Sequence, residues 1–331
     1  MSREVIGVDL GGTKVAVARL SASRLSISAI KPTERSDSGA LLDQVAEMVQ
    51  SMRGDQLDGV GIGVPSIVDF ATGRVVSSVN IPLADVPLRE VLSDKLGVPV
   101  FVDNDATVAA LAEAHDEQLR MVARDLVMLT VGTGIGGGFV LGGRIYRGAT
   151  GGAGELGHTL IAADLRDGAG APAPTRFPQE GSLEREAAGH ALDALAQHCA
   201  AAHPDSKLGR LAAGGQKVSG VEAVDAAHEG DELAAETVRW WAQRMGIGIA
   251  NAINIFDPEE VVIGGGAARA GELLLGPARE VAAGFVVPGL GRRTLIRVAR
   301  HGVRAGVLGA ALLAVHELAE APAPAPTEAT P

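Results

Sequence analysis

Val5-Ile6-Gly7-Val8-Asp9-Leu10-Gly11-Gly12-Thr13-Lys14 is the stretch from which the architecture follows. Val5 to Asp9 is an apolar run of strand length, Gly11-Gly12-Thr13 has turn chemistry, and Lys14 to Leu20 resumes β character. The segment therefore predicts a hairpin closed by a tight glycine turn. Further along the chain, Leu41, Leu42, Val45, Met48 and Val49 recur at helical spacing within Leu41 to Met52, and Gly59 to Val64 is a buried-strand run closed by Pro65. Val98 to Val102 reads as a further strand and Ala106 to Ala114 as a helix. Alternation of this kind, with glycine clusters at the junctions, predicts an α/β fold with parallel strands.

The opening pattern returns once. Thr130-x-Gly132-Thr133-Gly134-x-Gly136-Gly137 is again strand, glycine turn, strand, inside a block that begins near Leu126. Two similar domains, each presenting a glycine turn to one ligand across a cleft, are expected, with the boundary near residue 120. Helical periodicity follows over Leu183 to Cys199 and over Val221 to Ile255, with Gly246 and Gly248 as breaks or close-packing points. Asp257-Pro258 ends that helix, Glu260 to Ile263 is a strand, and Gly264-Gly265-Gly266 turns it into the next helix. Ala163 to Pro178 reads as a loop and 321–331 as a disordered or extended tail.

Composition narrows the function. Of 331 residues, 47% are apolar, 29 are Lys or Arg and 40 are Asp or Glu, a net charge of −11 without any basic run. Nucleic-acid binding needs clustered cations and is not expected. The single cysteine, Cys199, excludes an intramolecular disulfide and a cysteine-only metal cage. Met1-Ser2-Arg3-Glu4 leads straight into a strand, and the uncharged run from Leu126 to Gly143 is interrupted by seven glycines. A cytoplasmic protein with no membrane span is expected.

Glycine turns expose backbone N–H groups to a polyanion where no Cβ intervenes. Three occur here, at 11 to 13, 132 to 138 and 264 to 266, and none satisfies the P-loop pattern or the strand-to-helix context of a dinucleotide fingerprint. Asp9 suits a hydrated Mg²⁺ beside a phosphate and equally suits a turn cap; Lys14 suits phosphate neutralisation or plain solvent exposure. Asp103-Asn104-Asp105 lies between a strand and a helix, where an Asn-Asp pair can grip hydroxyls and an ionised Asp can accept a hydroxyl proton. Helix capping explains the same residues equally well. Glu155, His158 and Glu184 are hydrogen-bonding groups suited to a polyhydroxylated ligand, although a Glu at a helix start is also favoured by the helix dipole.

These segments, with Gly61-Ile62-Gly63-Val64-Pro65, Gly154-Glu155-Leu156-Gly157-His158, Asp257-Pro258-Glu259 and Ile263-Gly264-Gly265-Gly266, resemble in order and spacing the ROK family (repressor, open reading frame, kinase) from Val5 to about Leu318. The resemblance implies a two-domain actin-like ATPase (ribonuclease H-like) fold with a cleft between the domains. It also implies an N-terminal domain over 1–120 completed by a helix at about 303–318, a C-terminal domain over 121–302, and a homodimer.

The activity so implied is that of an ATP-dependent hexose kinase, a glucokinase acting on the sugar 6-hydroxyl. An N-acetylglucosamine or N-acetylmannosamine kinase and a non-catalytic sugar sensor are the alternatives. Asp105 is then the base. Asn104, Glu155, His158 and Glu184 hold other hydroxyls. Gly11, Gly12, Thr13, Lys14, Thr133, Gly134, Gly264, Gly265 and Gly266 hold ATP, Asp9 lies near Mg²⁺, and domain closure excludes water.

Two departures from the family stand out. Of its zinc pattern C-x-C-G-x-x-G-C-x-E only Gly181 and Glu184 remain, with Ser182 in place of the last cysteine, so no structural zinc is expected. Ser66 stands where the family often has glycine. Because the phosphate motif begins at Gly7, no room is expected for the DNA-binding domain of the family's repressors.

Overall fold

The computed structural model describes residues 3–78, 81–163 and 175–320. The chain divides into two compact units, one formed by residues up to Ala112 and from Arg304 onward, the other by Glu113–Val303. The change of unit thus falls between Ala112 and Glu113, upstream of residue 120. Glu113 is fully buried, and its carboxylate accepts hydrogen bonds from Arg297, Arg300 and His301 of the second unit.

The first unit starts with β1 (Val5–Leu10) and β2 (Lys14–Ser21), an antiparallel hairpin, then β3 (Arg24–Leu25) and β4 (Ala29–Pro32). α1 (Ser38–Met52) follows, capped by the Asp37 side chain on the Ala40 N–H, and its five periodic apolar residues are all buried. β5 (Gly59–Val64) runs parallel to β1, while β6 (Ser66–Asp69) and β7 (Arg74–Ser78) form a separate ribbon. α2 (Leu88–Leu96), β8 (Val100–Asn104) and α3 (Asp105–Glu113) complete this stretch. The sheet order is β3-β2-β1-β5-β8 with β4 on β2. The strand expected over Val98–Val102 runs two residues later, because Asn104 still pairs with Val64 of β5 before the chain turns into α3.

The second unit repeats the plan. β9 (Leu126–Val131) and β10 (Ile135–Leu141) form the second glycine hairpin, extended by β11 (Arg144–Ile145). The helical stretch expected over Leu183 to Cys199 is two helices, α4 (Leu183–Ala187) and α5 (Gly189–Ala202). They part because the Gly189 N–H is taken by the Gly132 carbonyl of the glycine turn at 2.8 Å. α6 (Lys207–Ala213) precedes α7 (Gly220–His228) and α8 (Glu232–Phe256), so the stretch expected over Val221 to Ile255 is also broken. Gly230 adopts φ +90°, and Asp231 caps α8 through the Ala234 N–H. Gly246 and Gly248 are close-packing points, where a Cβ would meet Ala278 and Leu183 respectively.

β12 (Glu260–Gly264), α9 (Glu272–Phe285) and β13 (Leu295–Val298) give the order β11-β10-β9-β12-β13, the same hairpin-plus-parallel arrangement as in the first unit. Of the loop expected at 163–178, positions 164–174 lie outside the described residues, as does the tail at 321–331.

The chain then returns to the first unit as α10 (Ala305–Glu320). α10 and the short turn before it are apolar and long enough to cross a membrane, yet α10 lies on β1 and β5. Contact is backbone to backbone: a Cβ at Gly7 or Gly61 would overlap the carbonyl oxygens of Val307 or Ala310.

Candidate functional site

In the first unit the turn after β1 is braced from β4. Gly11 N–H donates to the Lys14 carbonyl at 3.0 Å, the Thr33 hydroxyl to the Gly11 carbonyl at 2.7 Å, and Arg35 Nε to the Gly12 carbonyl at 2.9 Å. The N–H groups of Gly12 and Thr13 have no hydrogen-bond partner among the described residues, an arrangement suited to an anion. Thr33 and Arg35 belong to no glycine motif, and sequence reading missed them.

Asp9, the last residue but one of β1, lies against the first turn of α10, where a Cβ on Gly306 would lie 2.5 Å from Oδ2. Burial raises its pKa, opposed by Lys14. Asp105 opens α3, and burial pushes its carboxyl up to about 6, with the Asp9 charge adding to the rise and the Ala106 N–H opposing it. Oδ1 accepts from Ala106 N–H at 2.8 Å. The Asn104 side chain also favours the ionised form of this carboxylate. Two carboxylates both raised by desolvation, Asp105 further by the Asp9 charge, suit a cation beside them.

Asn104 does the capping. Its Oδ1 accepts from the Ala106 and Thr107 N–H groups at 2.9 and 3.2 Å, and its Nδ2 reaches the Ser66 carbonyl at 3.4 Å. The buried Asp103 holds the Asn104 N–H at 2.9 Å, which stiffens the approach to Asp105. Ser66 is buried, and its hydroxyl lacks a hydrogen-bond partner among the described residues, as does that of Ser78, its register partner on β7.

In the second unit, the turn Gly132-Thr133-Gly134 is gripped from α4 and α5. Glu184 Oε2 accepts from Ile135 N–H at 2.6 Å, and a Cβ on Gly134 would sit 2.5 Å from that oxygen. Gly189 and His190 hold the carbonyls of Gly132 and Thr133. The N–H groups of Thr133 and Gly134 are without partners among the described residues, matching the first turn. Gly264 pairs with Thr130 across β12 and β9, which brings the turn at 264 to 266 beside the turn at 132 to 134. Gly265 has φ +76°, and a Cβ there would overlap the Val131 carbonyl. Between the turns opens a cavity of about 290 Å³, lined among others by Thr133, His190, Asp193, Trp241, Gly266 and Arg269.

Glu155 and His158 lie around the short helical turn Leu156–His158, 3.5 Å apart at Glu155 Oε2 and His158 Nε2. The Phe177 ring meets His158 edge-on with centroids 5.3 Å apart. Ser182, at the position of the family's cysteine, is fully buried and caps α4 by accepting from Arg185 N–H at 3.2 Å. Leu183 N–H donates to the Thr159 carbonyl at 2.8 Å and Ile161 N–H to the Gly181 carbonyl at 2.8 Å. Backbone pairing and a helix cap thus fix the start of α4 and, with it, Glu184. Asp9, Gly11 to Lys14, Asn104 and Asp105 belong to the first unit; Thr133, Gly134, Glu155, His158, Glu184 and Gly264 to Gly266 belong to the second.

Comparison with known proteins agrees with this geometry. The chain is 32% identical over 319 residues to a glucokinase of Halalkalibacterium halodurans, covering 93% of each chain. It is 33% identical over 317 residues to an N-acetyl-D-glucosamine kinase of Shigella flexneri, covering 93% of this chain and 98% of that one. The crystal structure of a ROK family glucokinase from Streptomyces griseus in complex with glucose and AMPPNP matches with a TM-score of 0.76 at 30% identity, covering 95% of this chain and 99% of that one. The model of the ROK family matches residues 5–317, and the chain belongs to that family, with its two-domain actin-like ATPase fold.

Proposed function

We propose that this chain is an ATP-dependent hexose kinase, a glucokinase that transfers the γ-phosphoryl group of ATP to the 6-hydroxyl of glucose. The observation that carries the reading is Asp105, held at the start of α3 with Oδ1 anchored on the Ala106 N–H and a carboxyl pushed up to about 6. A base of that strength is ionised at neutral pH yet basic enough to take a hydroxyl proton as the bond to phosphorus forms. The names of the relatives and the AMPPNP complex support ATP and a sugar as the two substrates.

In this mechanism Asp105 removes the proton of the sugar hydroxyl. The hydroxyl oxygen forms its bond to the γ-phosphorus while the bond to the bridging β,γ-oxygen breaks, and ADP leaves with that electron pair. Asn104 holds the loop that presents Asp105 and offers its Nδ2 to a neighbouring hydroxyl. Glu155, His158 and Glu184 take further hydroxyls. The N–H groups of Gly12, Thr13, Thr133 and Gly134, without partners among the described residues, receive the phosphates together with the turn at 264 to 266, and Lys14 adds positive charge. Asp9, a desolvated carboxylate near a second one, fits a hydrated Mg²⁺, which when bound offsets the charge of the β- and γ-phosphates. The proposal includes a cytoplasmic location and a homodimer, and sedimentation equilibrium checks the dimer.

A second reading, an N-acetylhexosamine kinase, is supported by the Shigella flexneri relative. Coupled ADP release with ATP and Mg²⁺ over glucose, mannose, fructose, allose, N-acetylglucosamine and N-acetylmannosamine decides between them. One strong signal that disappears in Asp105→Asn establishes the kinase and its sugar; silence across the panel from folded protein rejects it.

A further inference from the structure

His190 is the one polar side chain of the second-unit cavity whose free ring atom is buried and unsatisfied among the described residues. Its position follows from backbone geometry. Gly189 starts α5 with its N–H on the Gly132 carbonyl, and a Cβ at Gly189 would come within 2.6 Å of that oxygen, so only glycine lets α5 approach the turn this closely. The next residue is thereby delivered to Thr133, and His190 Nδ1 lies 2.9 Å from the Thr133 carbonyl oxygen. A carbonyl only accepts, so Nδ1 carries the proton, and in the neutral ring Nε2 is left as a lone-pair acceptor. Nε2 is buried at the wall of the cavity, and nothing among the described residues donates to it. A buried acceptor without a donor carries its desolvation cost uncompensated until a ligand supplies the donor.

We propose that His190 is a specificity-determining residue that accepts a hydrogen bond at Nε2 from the nucleoside part of the phosphoryl donor. The assignment rests on the kinase reading above, because it takes this cavity and its glycine turns as the nucleotide site. It adds what phosphate-binding turns cannot provide, since N–H groups facing phosphates bind any polyphosphate alike. The donor is a ribose hydroxyl or the 6-amino group of adenine, the groups of ATP that offer O–H or N–H. A site built to hydrogen-bond such a group discriminates against analogues that lack it, because they leave the protein acceptor unpaired.

The experiment is titration calorimetry on the full-length protein with ATP, 2′-deoxy-ATP, 3′-deoxy-ATP, inosine triphosphate and a short inorganic polyphosphate, in wild type, His190→Ala and His190→Gln. The expected result is that one nucleoside analogue binds wild type about 3- to 10-fold more weakly than ATP, the worth of one hydrogen bond, while His190→Ala binds ATP and that analogue alike. A deoxy analogue singled out in this way identifies the ribose, and inosine triphosphate identifies the base. Polyphosphate affinity is expected to be the same in all three proteins. If wild type binds every analogue as it binds ATP, the assignment is overturned without recourse to any variant. Phosphoryl transfer from ATP with unchanged ATP affinity in both variants also overturns it and leaves the kinase reading standing, whereas no detectable nucleotide binding overturns both.

Discussion

Glu184 closes the second glycine turn from behind: its Oε2 accepts the Ile135 N–H at 2.6 Å and occupies the space that a side chain on Gly134 would need. A residue assigned to the sugar is therefore also a brace for the turn assigned to ATP. Glu184→Gln keeps an acceptor but loses the charge, and Glu184→Ala loses both. Removing the acceptor is expected to raise KM for ATP as well as for sugar, by about 10-fold or more, since a charge-assisted hydrogen bond is worth about 1.5–3 kcal/mol. Steady-state kinetics with each substrate varied in turn check this. A change confined to the sugar KM would separate Glu184 from the turn.

Asp105 ties activity and stability to pH with opposite signs. The base works only when ionised, so kcat/KM is expected to fall about tenfold per pH unit below about 6. Asp105→Asn is expected to lower kcat by about 10² to 10⁴-fold while sparing sugar binding. The folded-state pKa is raised above the ordinary 3.8, so the folded chain holds this proton more tightly than the unfolded chain, and stability falls as pH rises from about 4 to about 6. Asp105→Asn is therefore expected to be more stable than wild type at pH 7.5, by on the order of 2 kcal/mol, with the gain vanishing below about pH 4. Denaturant melts at the two pH values measure it.

Gly61→Ala tests the closure of the first unit. The Cβ would overlap the Ala310 carbonyl oxygen, so α10 must lift from β1 and β5 or the strand must shift. A loss of about 3 kcal/mol or more is expected, the scale of severe core disruption. Removal of α10 by truncation before Arg304 is expected to leave no soluble folded protein. Expression and circular dichroism check both.

Glu113→Ala tests the second unit at the point where the chain enters it. Its fully buried carboxylate holds Arg297 at 2.6 Å and the N–H groups of Arg300 and His301 at 2.9 Å. Its loss leaves the two N–H groups without an acceptor and takes one of two carboxylates from Arg297, which keeps Glu260, at an expected cost of about 2–4 kcal/mol. Urea denaturation measures the change in midpoint.

Ser66→Gly tests sugar choice. The buried hydroxyl has no partner among the described residues, and the Ser66 carbonyl is the one that Asn104 reaches. If a sugar hydroxyl completes it, the variant is expected to raise KM for the preferred sugar about 3- to 10-fold with kcat little changed. Kinetics over the same sugar panel give the comparison.

Local sequence determined the elements that local chemistry dictates. The strand from Val5, its glycine turn, the periodic helix at Leu41 and the repeat at Thr130 are fixed by side-chain period and by residues that turn cheaply, and both hairpins stand where they were read. The breaks at Ala188 and Gly230 escaped, because periodicity continues across them. The first break is set by the Gly132 carbonyl, which takes the Gly189 N–H and which only the fold brings near it. Asn104 and Asp105 were legible as polar residues at a strand end, but their division of labour was not. Capping consumes Asn104 Oδ1, and burial beside Asp9 sets the proton affinity of Asp105; both depend on which backbone N–H groups and charges tertiary packing brings near. Thr33, Arg35 and His190 carry no motif at all, since a hydrogen bond to a distant turn carbonyl leaves no trace in local sequence. Residue type and spacing settled the kind of chemistry available, and only the folded chain decided which atoms are already satisfied and which still need a partner.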